Sequence, residues 1–237
     1  MKNKYFMAVQ EGVVLNITIY GDITSWEWLE SDVSSYTLSK LIQESNAKEI
    51  VVCINSYGGE VAEGLAIYNA LRNHQAKVIT RCDGFACSAA SVVFMAGDER
   101  IMNEASLLMI HNAWTYASGN AEELRKQADD LDTISATVAK AYMSRINITE
   151  EKLQEMLDAE KWITPDEALE MGFASSIVEE KTRGQQYSAR KDIFRQLVEG
   201  KSIEGKQEGM TGKQKPGQND EPESEFRKLF DKFIKQN

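Results

Sequence analysis

Ile50-Val51-Val52-Cys53-Ile54-Asn55-Ser56-Tyr57-Gly58-Gly59 decides the fold. It is a β-branched apolar run that stops at a polar pair and two glycines. That composition reads as a strand buried on both faces, delivered into a tight turn. Val61, Leu65, Tyr68 and Leu71 follow at intervals of four, three and three, which predicts a helix over 61–72. Outward from there the unit repeats. Lys77 to Cys82 is a second strand, broken by Asp83-Gly84; Ser88 to Ala96 is a short, small-residue helix ending at Gly97. Ser106 to Ile110 is a third strand with His111 at its end. Strand, turn and helix in alternation predict a layered α/β fold with mostly parallel pairing.

The next stretch is helical. Asn120 with Glu123 three residues on forms a capping-box pattern for a long helix to about Ile146. Thr149 starts a short helix carrying Leu153, Met156 and Leu157. Thr164, Pro165 and Glu167 mark another start at N-cap, N1 and N3, with Gly172 past its end, and Ala174 to Val178 returns to a sheet edge.

Of 237 residues, 42% are apolar, an ordinary level for a water-soluble globular chain, and no run approaches the roughly 20 apolar residues of a membrane span. Lys2 and Lys4 precede no apolar stretch, because Gln10 and Glu11 come too soon for a signal peptide, so the cytoplasm is the expected compartment. Cys53, Cys82 and Cys87 are an odd count without paired spacing and read as buried thiols. With two histidines and no C-x-x-C, neither a zinc site nor any other cofactor is expected.

The net charge of −10 divides unevenly: residues 182–237 hold 12 basic and 9 acidic residues, leaving −13 on the body. An acidic body argues against a nucleic-acid-binding core. The sequence divides into a domain over 1–181, a polar linker over 182–224 that reads as disordered, and a short amphipathic helix over 225–237. Phe226, Leu229, Phe230, Phe233 and Ile234 share one face of that helix. So short a helix needs a partner, and docking onto another protein or a neighbouring copy is expected rather than a membrane.

Ser88 lies where a strand turns into a helix, so its hydroxyl faces free N–H groups and the positive end of the helix dipole. On local pattern alone, an N-cap serine in an ordinary tight turn is the better account of that position. His111 ends an apolar strand, where parallel α/β sheets place functional groups, although a structural histidine fits there too. His74 follows a helix C-terminus and suits its dipole. Gly58-Gly59 permits positive φ and close backbone approach, which suits an oxyanion hole or any tight turn. No G-x-S-x-G surrounds Ser88, and Cys87 is a rival nucleophile beside it.

Four segments in order carry a resemblance: Asn55 to Gly59; Gly84-Phe85-Ala86-Cys87-Ser88-Ala89-Ala90-Ser91 with Met95-Ala96-Gly97; Met109-Ile110-His111-Asn112; and Trp162 to Ala168. Over roughly residues 13–180 they resemble the Clp protease proteolytic subunit family (peptidase family S14), most nearly its phage and prophage head-maturation branch. The resemblance implies a crotonase-like spiral of β-β-α units with a long handle helix. It implies a serine endopeptidase with Ser88 as nucleophile, His111 as base, and the N–H groups of Gly59 and Ala89, beside Gly58, as oxyanion donors. The third member falls at Glu160 by strict spacing, with Asp158 as its rival. It further implies a polypeptide substrate, a homo-oligomeric heptamer-like ring, single or stacked in two, and capsid, scaffold or portal proteins as substrates or partners. Tyr57 stands where the family usually has proline, and Ala89-Ala90 where it usually has Met-Gly. Whether an ATPase assists is left open. Two other readings stand beside it: an inactive ring serving as an assembly scaffold, and a crotonase-like acyl-CoA enzyme.

Overall fold

A computed structural model describes residues 6–27, 29 and 32–178. The expected linker, the C-terminal helix and the boundaries at 181 and 224 lie outside the described residues.

The chain begins with an antiparallel pair, β1 (Phe6–Glu11) and β2 (Val14–Ile19), closed by Gly12 at φ 61°. Helix α1 (Ser35–Glu44) follows, capped by Ser34, and then β3 (Glu49–Ser56), α2 (Val61–Asn73) and β4 (Lys77–Cys87). Next come α3 (Ala89–Phe94), β5 (Glu99–Asn103), β6 (Leu107–Met109) and the long α4 (Ala121–Met143). Helix α5 (Glu150–Asp158), β7 (Trp162–Ile163), α6 (Pro165–Glu170) and β8 (Ser176–Val178) complete it.

The strands form one sheet in the order β1-β2-β3-β4-β5-β8, with β6 branching from β4 and β7 pairing with β6. Pairing is parallel except for β1/β2 and β6/β7. The result is a mixed α/β fold on a largely parallel sheet.

Two details of the strands differ from the sequence reading. β3 is not buried on both faces: Ile50, Val52 and Ile54 are fully covered, whereas Val51 and Cys53 are half-buried. The same alternation runs along β2, β4 and β5, so the packed helices cover one face of the sheet. Ile17, Ile19, Ile54, Ile67, Leu71 and Phe94 fill that covered side.

β4 also continues through Asp83-Gly84, where a break was expected. Ile54 pairs with Cys82, but Ser56 pairs with Ala86, so three residues of β4 stand against one of β3 in a bulge. Asp83 is held by Arg81, Tyr20 and Asn103, and the N–H of Phe85 donates to Asn55 Oδ1 at 3.1 Å. The contacts from Tyr20, Asn55 and Asn103, distant in the chain, override the local turn signal. The extended strand then pairs with β6 through Phe85–Cys87.

The expected helix starts are present. Asn120 and Glu123 close a capping box on α4, Thr149 caps α5, and Thr164 and Glu167 close a second box with Pro165 at N1. His74 is the C-cap of α2, where its Nδ1 accepts from the N–H of Ala76. Among the described residues no helix is long and apolar enough to cross a membrane.

Candidate active site

Ser88 stands between β4 and α3 with φ 53° and ψ −127°, a backbone conformation rare for a residue with a Cβ. Such strain persists only where the surroundings enforce it, at a cost of about 1–3 kcal/mol. Here its N–H donates to the Met109 carbonyl at 2.9 Å, which ties the turn to β6. Its carbonyl accepts from the N–H of Ser91 at 2.9 Å and from the Ser91 hydroxyl at 2.6 Å.

Ser88 occupies the N-cap position but does not cap: its side chain makes no bond to the helix. Instead Ser88 Oγ lies 2.8 Å from His111 Nε2. The ordinary helix-cap reading of this serine is thereby displaced. With Nε2 as acceptor, the ring carries its proton on Nδ1 and can take a second from the hydroxyl. His111 sits two residues beyond β6, and that approach is fixed by the N–H of Ile110 donating to the Lys161 carbonyl at 3.1 Å.

Gly58 and Gly59 have φ 100° and 145°. A Cβ at Gly58 would lie 2.6 Å from the Cys87 carbonyl oxygen and 2.7 Å from Ser88 Cβ; one at Gly59 would run into the Ile23 carbonyl. Glycine is therefore needed twice, to bring the loop against Ser88 and against the Ile23 carbonyl. The Gly58 carbonyl accepts from Ile23 N–H and the Ile23 carbonyl accepts from Glu60 N–H, both at 2.8 Å. The N–H groups of Gly59 and Ala89 have no partner among the described residues, so two donors are left available beside Ser88.

The two candidate acids are placed differently. Asp158 Oδ1 accepts from Asn112 Nδ2 and from Gln154 Nε2, each at 2.7 Å, so its hydrogen bonds run to side chains beside the histidine. Glu160 has φ 48° and closes α5 through its N–H to the Leu157 carbonyl at 3.2 Å. In the β6/β7 ladder Leu108 pairs with Ile163 and Met109 with Trp162, and the Ile110 N–H to Lys161 carbonyl bond carries the contact to the residues just before His111 and just after Glu160. Neither carboxylate bonds the histidine in this structure.

Cys87, the rival nucleophile, is buried, and burial pushes its thiol up to about 11. A thiol so rarely ionised is a poor nucleophile at neutral pH.

Around Ser88 and His111 opens a cleft of about 650 Å³, walled by Asp22, Thr24, Tyr57, Glu60 and Trp114. Glu60 Oε1 accepts from Thr24 Oγ1 at 2.9 Å and from Ser25 Oγ at 3.0 Å, which pins the 22–25 segment beside the glycine loop. Sequence reasoning had not marked this wall, since no short-range pattern links residues 24 and 60. Tyr57 is largely exposed at the rim and packs edge-on against Phe85, which meets Trp162 in the same way.

The family model described as Clp protease matches residues 16–181. An ATP-dependent Clp protease proteolytic subunit of Deinococcus radiodurans is 32% identical over 157 residues, covering 64% of this chain and 77% of that protein. Proteolytic subunit 2 of a Synechococcus species is 28% identical over 160 residues, 65% of this chain and 81% of that protein. The subunit of Borrelia garinii is 30% identical over 153 residues, 63% and 78% of the respective chains.

Proposed function

The chain belongs to the Clp protease family, and on that premise we propose that it is a serine-type endopeptidase acting by acyl transfer. The observation that carries this reading is the 2.8 Å contact of Ser88 Oγ with His111 Nε2 at a strained turn flanked by two unpaired N–H groups. Ser88 Oγ attacks the scissile carbonyl carbon while His111 Nε2 takes its proton. The resulting oxyanion is held by the N–H groups of Gly59 and Ala89, and each such donor contributes about 10²–10³ in rate. As the intermediate collapses, the C–N bond breaks and His111 protonates the departing amine. Water, deprotonated by His111, then releases the acyl group from Ser88. Glu160 is the favoured group for orienting His111 and holding its charge.

The active form is a homo-oligomeric ring, single or stacked in two. Leu124 and Ile134, about 40% exposed, lie with half-buried Leu131 along α4 at helical spacing, an apolar stripe that one protomer leaves partly uncovered. The finer substrate reading is processing of capsid, scaffold or portal proteins during phage head maturation, supported by Ala89-Ala90 after the nucleophile. Finding portal and capsid genes beside this one supports it, and their absence counts against it.

The test of the activity is hydrolysis of a dye-labelled unfolded protein. The full chain degrades it, and Ser88→Ala and His111→Ala lose at least about 10³-fold of the rate. A rate in either variant equal to that of the unaltered chain contradicts the reading. A silent ring acting as a scaffold has one observation in its favour: no carboxylate of the described residues bonds His111. It predicts assembly without hydrolysis.

A further inference from the structure

Beside Ser88 and His111 the wide cleft has a side chamber of only about 20 Å³, walled by Val61, Ala89, Val92, Ala113, Val138 and Tyr142. One water needs roughly 10–15 Å³ of such space, so the chamber admits a group of methyl size. Its walls are mostly apolar, with Asn112 the one polar residue added to Ser88 and His111, and Ala89, next to the nucleophile, forms part of its rim. Ser88 and His111 line this chamber as well as the wide cleft.

The chamber is stiff. Tyr142, 1% exposed, forms its floor, and its hydroxyl lies 2.7 Å from Ser91 Oγ. That same Ser91 Oγ donates to the Ser88 carbonyl at 2.6 Å. Moving the ring to enlarge the chamber would break a buried hydroxyl pair and release the carbonyl that clamps the nucleophile's backbone. The Tyr142 ring also packs on Phe173, 5.9 Å between centroids. Val138 stands one turn earlier on α4 and Val92 faces the chamber from α3, both almost fully buried.

We infer that Val92, Val138 and Tyr142 set the specificity of this enzyme by restricting the residue on the acyl side of the cleaved bond to alanine, glycine or serine size. The inference rests on the peptidase reading above. It is tested on the full-length protein with two kinds of probe. An alkyl fluorophosphonate, which carries no amino-acid side chain, reports the reactivity of Ser88 itself. Peptidyl diphenyl phosphonates, in which Ser88 Oγ displaces phenoxide from phosphorus, present alanine, leucine or phenylalanine to the chamber. The expected result is inactivation at least about tenfold faster with alanine than with leucine, since each methylene misfit changes such ratios by about 10–200-fold. Val138→Ala and, independently, Val92→Ala raise the leucine rate relative to alanine, with fluorophosphonate labelling retained in any variant that folds. Leucine or phenylalanine reacting as fast as alanine in the unaltered protein overturns the inference while leaving the peptidase reading intact. An unchanged preference in both folded variants overturns it equally. Failure of the fluorophosphonate to label Ser88 removes the peptidase reading itself.

Discussion

Gly58 passes so close to Ser88 that a Cβ on the glycine would lie 2.7 Å from the serine's Cβ. The Gly58-Gly59 loop and Ser88 are thus packed as one unit, with no room for a methyl group between them. Gly58→Ala must displace the loop and also place alanine at φ 100°, a strain of about 1–3 kcal/mol. The expected outcome is a fall of about 10²-fold or more in Ser88 reactivity with a modest drop in Tm. Labelling kinetics beside a thermal melt measure both; full reactivity in this variant would contradict the packing described.

Glu160 and Asp158 are separable by their surroundings. Asp158→Asn keeps an acceptor for Asn112 and Gln154, so activity should change by less than about threefold. Glu160→Gln removes the charge proposed to orient His111 and should lower kcat/KM by about 10² or more. The reverse ranking would assign the orienting role to Asp158.

Asp83 makes stability depend on acid. Burial alone raises its carboxyl, but hydrogen bonds from Arg81 and Tyr20, the Arg81 charge and the Asn103 amide outweigh it and hold the group below the usual range. Its contribution is therefore complete above the unfolded value, about pH 4, and is lost as pH falls through the lower folded value. Removing the charge with Asp83→Asn should cost about 1–3 kcal/mol near neutral pH and flatten the decline of Tm below about pH 4. Parallel acid slopes for the two proteins would refute this. The Cys53 thiol, raised by burial, sits near the same group but stays protonated throughout that range.

Thiol reagents should leave the site alone. With its pKa at about 11, Cys87 is about 0.1% thiolate at pH 8, and it is buried. Half-buried Cys53 should be alkylated first by iodoacetamide, with no loss of Ser88 labelling. Rapid modification of Cys87 with matching inactivation would reopen its claim as nucleophile.

Local chemistry made part of this structure legible. The apolar run into Gly58-Gly59, the helix over 61–72, and the caps at Asn120, Thr149 and Thr164 are short-range signals, and each is realised. β4 crossing Asp83-Gly84 was not legible, because its hydrogen bonds come from Tyr20, Asn55 and Asn103, far away in sequence. β5 was likewise hidden, since Glu99-Arg100-Ile101-Met102-Asn103 is too polar to announce a strand. Arg100 is nonetheless buried there, donating to the carbonyls of Gly97, Gly172 and Phe173.

The site divides in the same way. Ser88 and His111 were both candidates, but only the fold joins residues 23 positions apart. The narrow chamber beside them needs α3, α4 and the residues after β6 together, and no spacing in one segment encodes it.

The central claim is that Ser88, activated by His111, is a nucleophile. Its most direct test is fluorophosphonate labelling of the assembled full-length protein, with the modified peptide located by mass spectrometry. The account predicts a single adduct on Ser88, lost in Ser88→Ala and slowed at least about 10³-fold in His111→Ala. No adduct on Ser88 in a folded, assembled protein would contradict it.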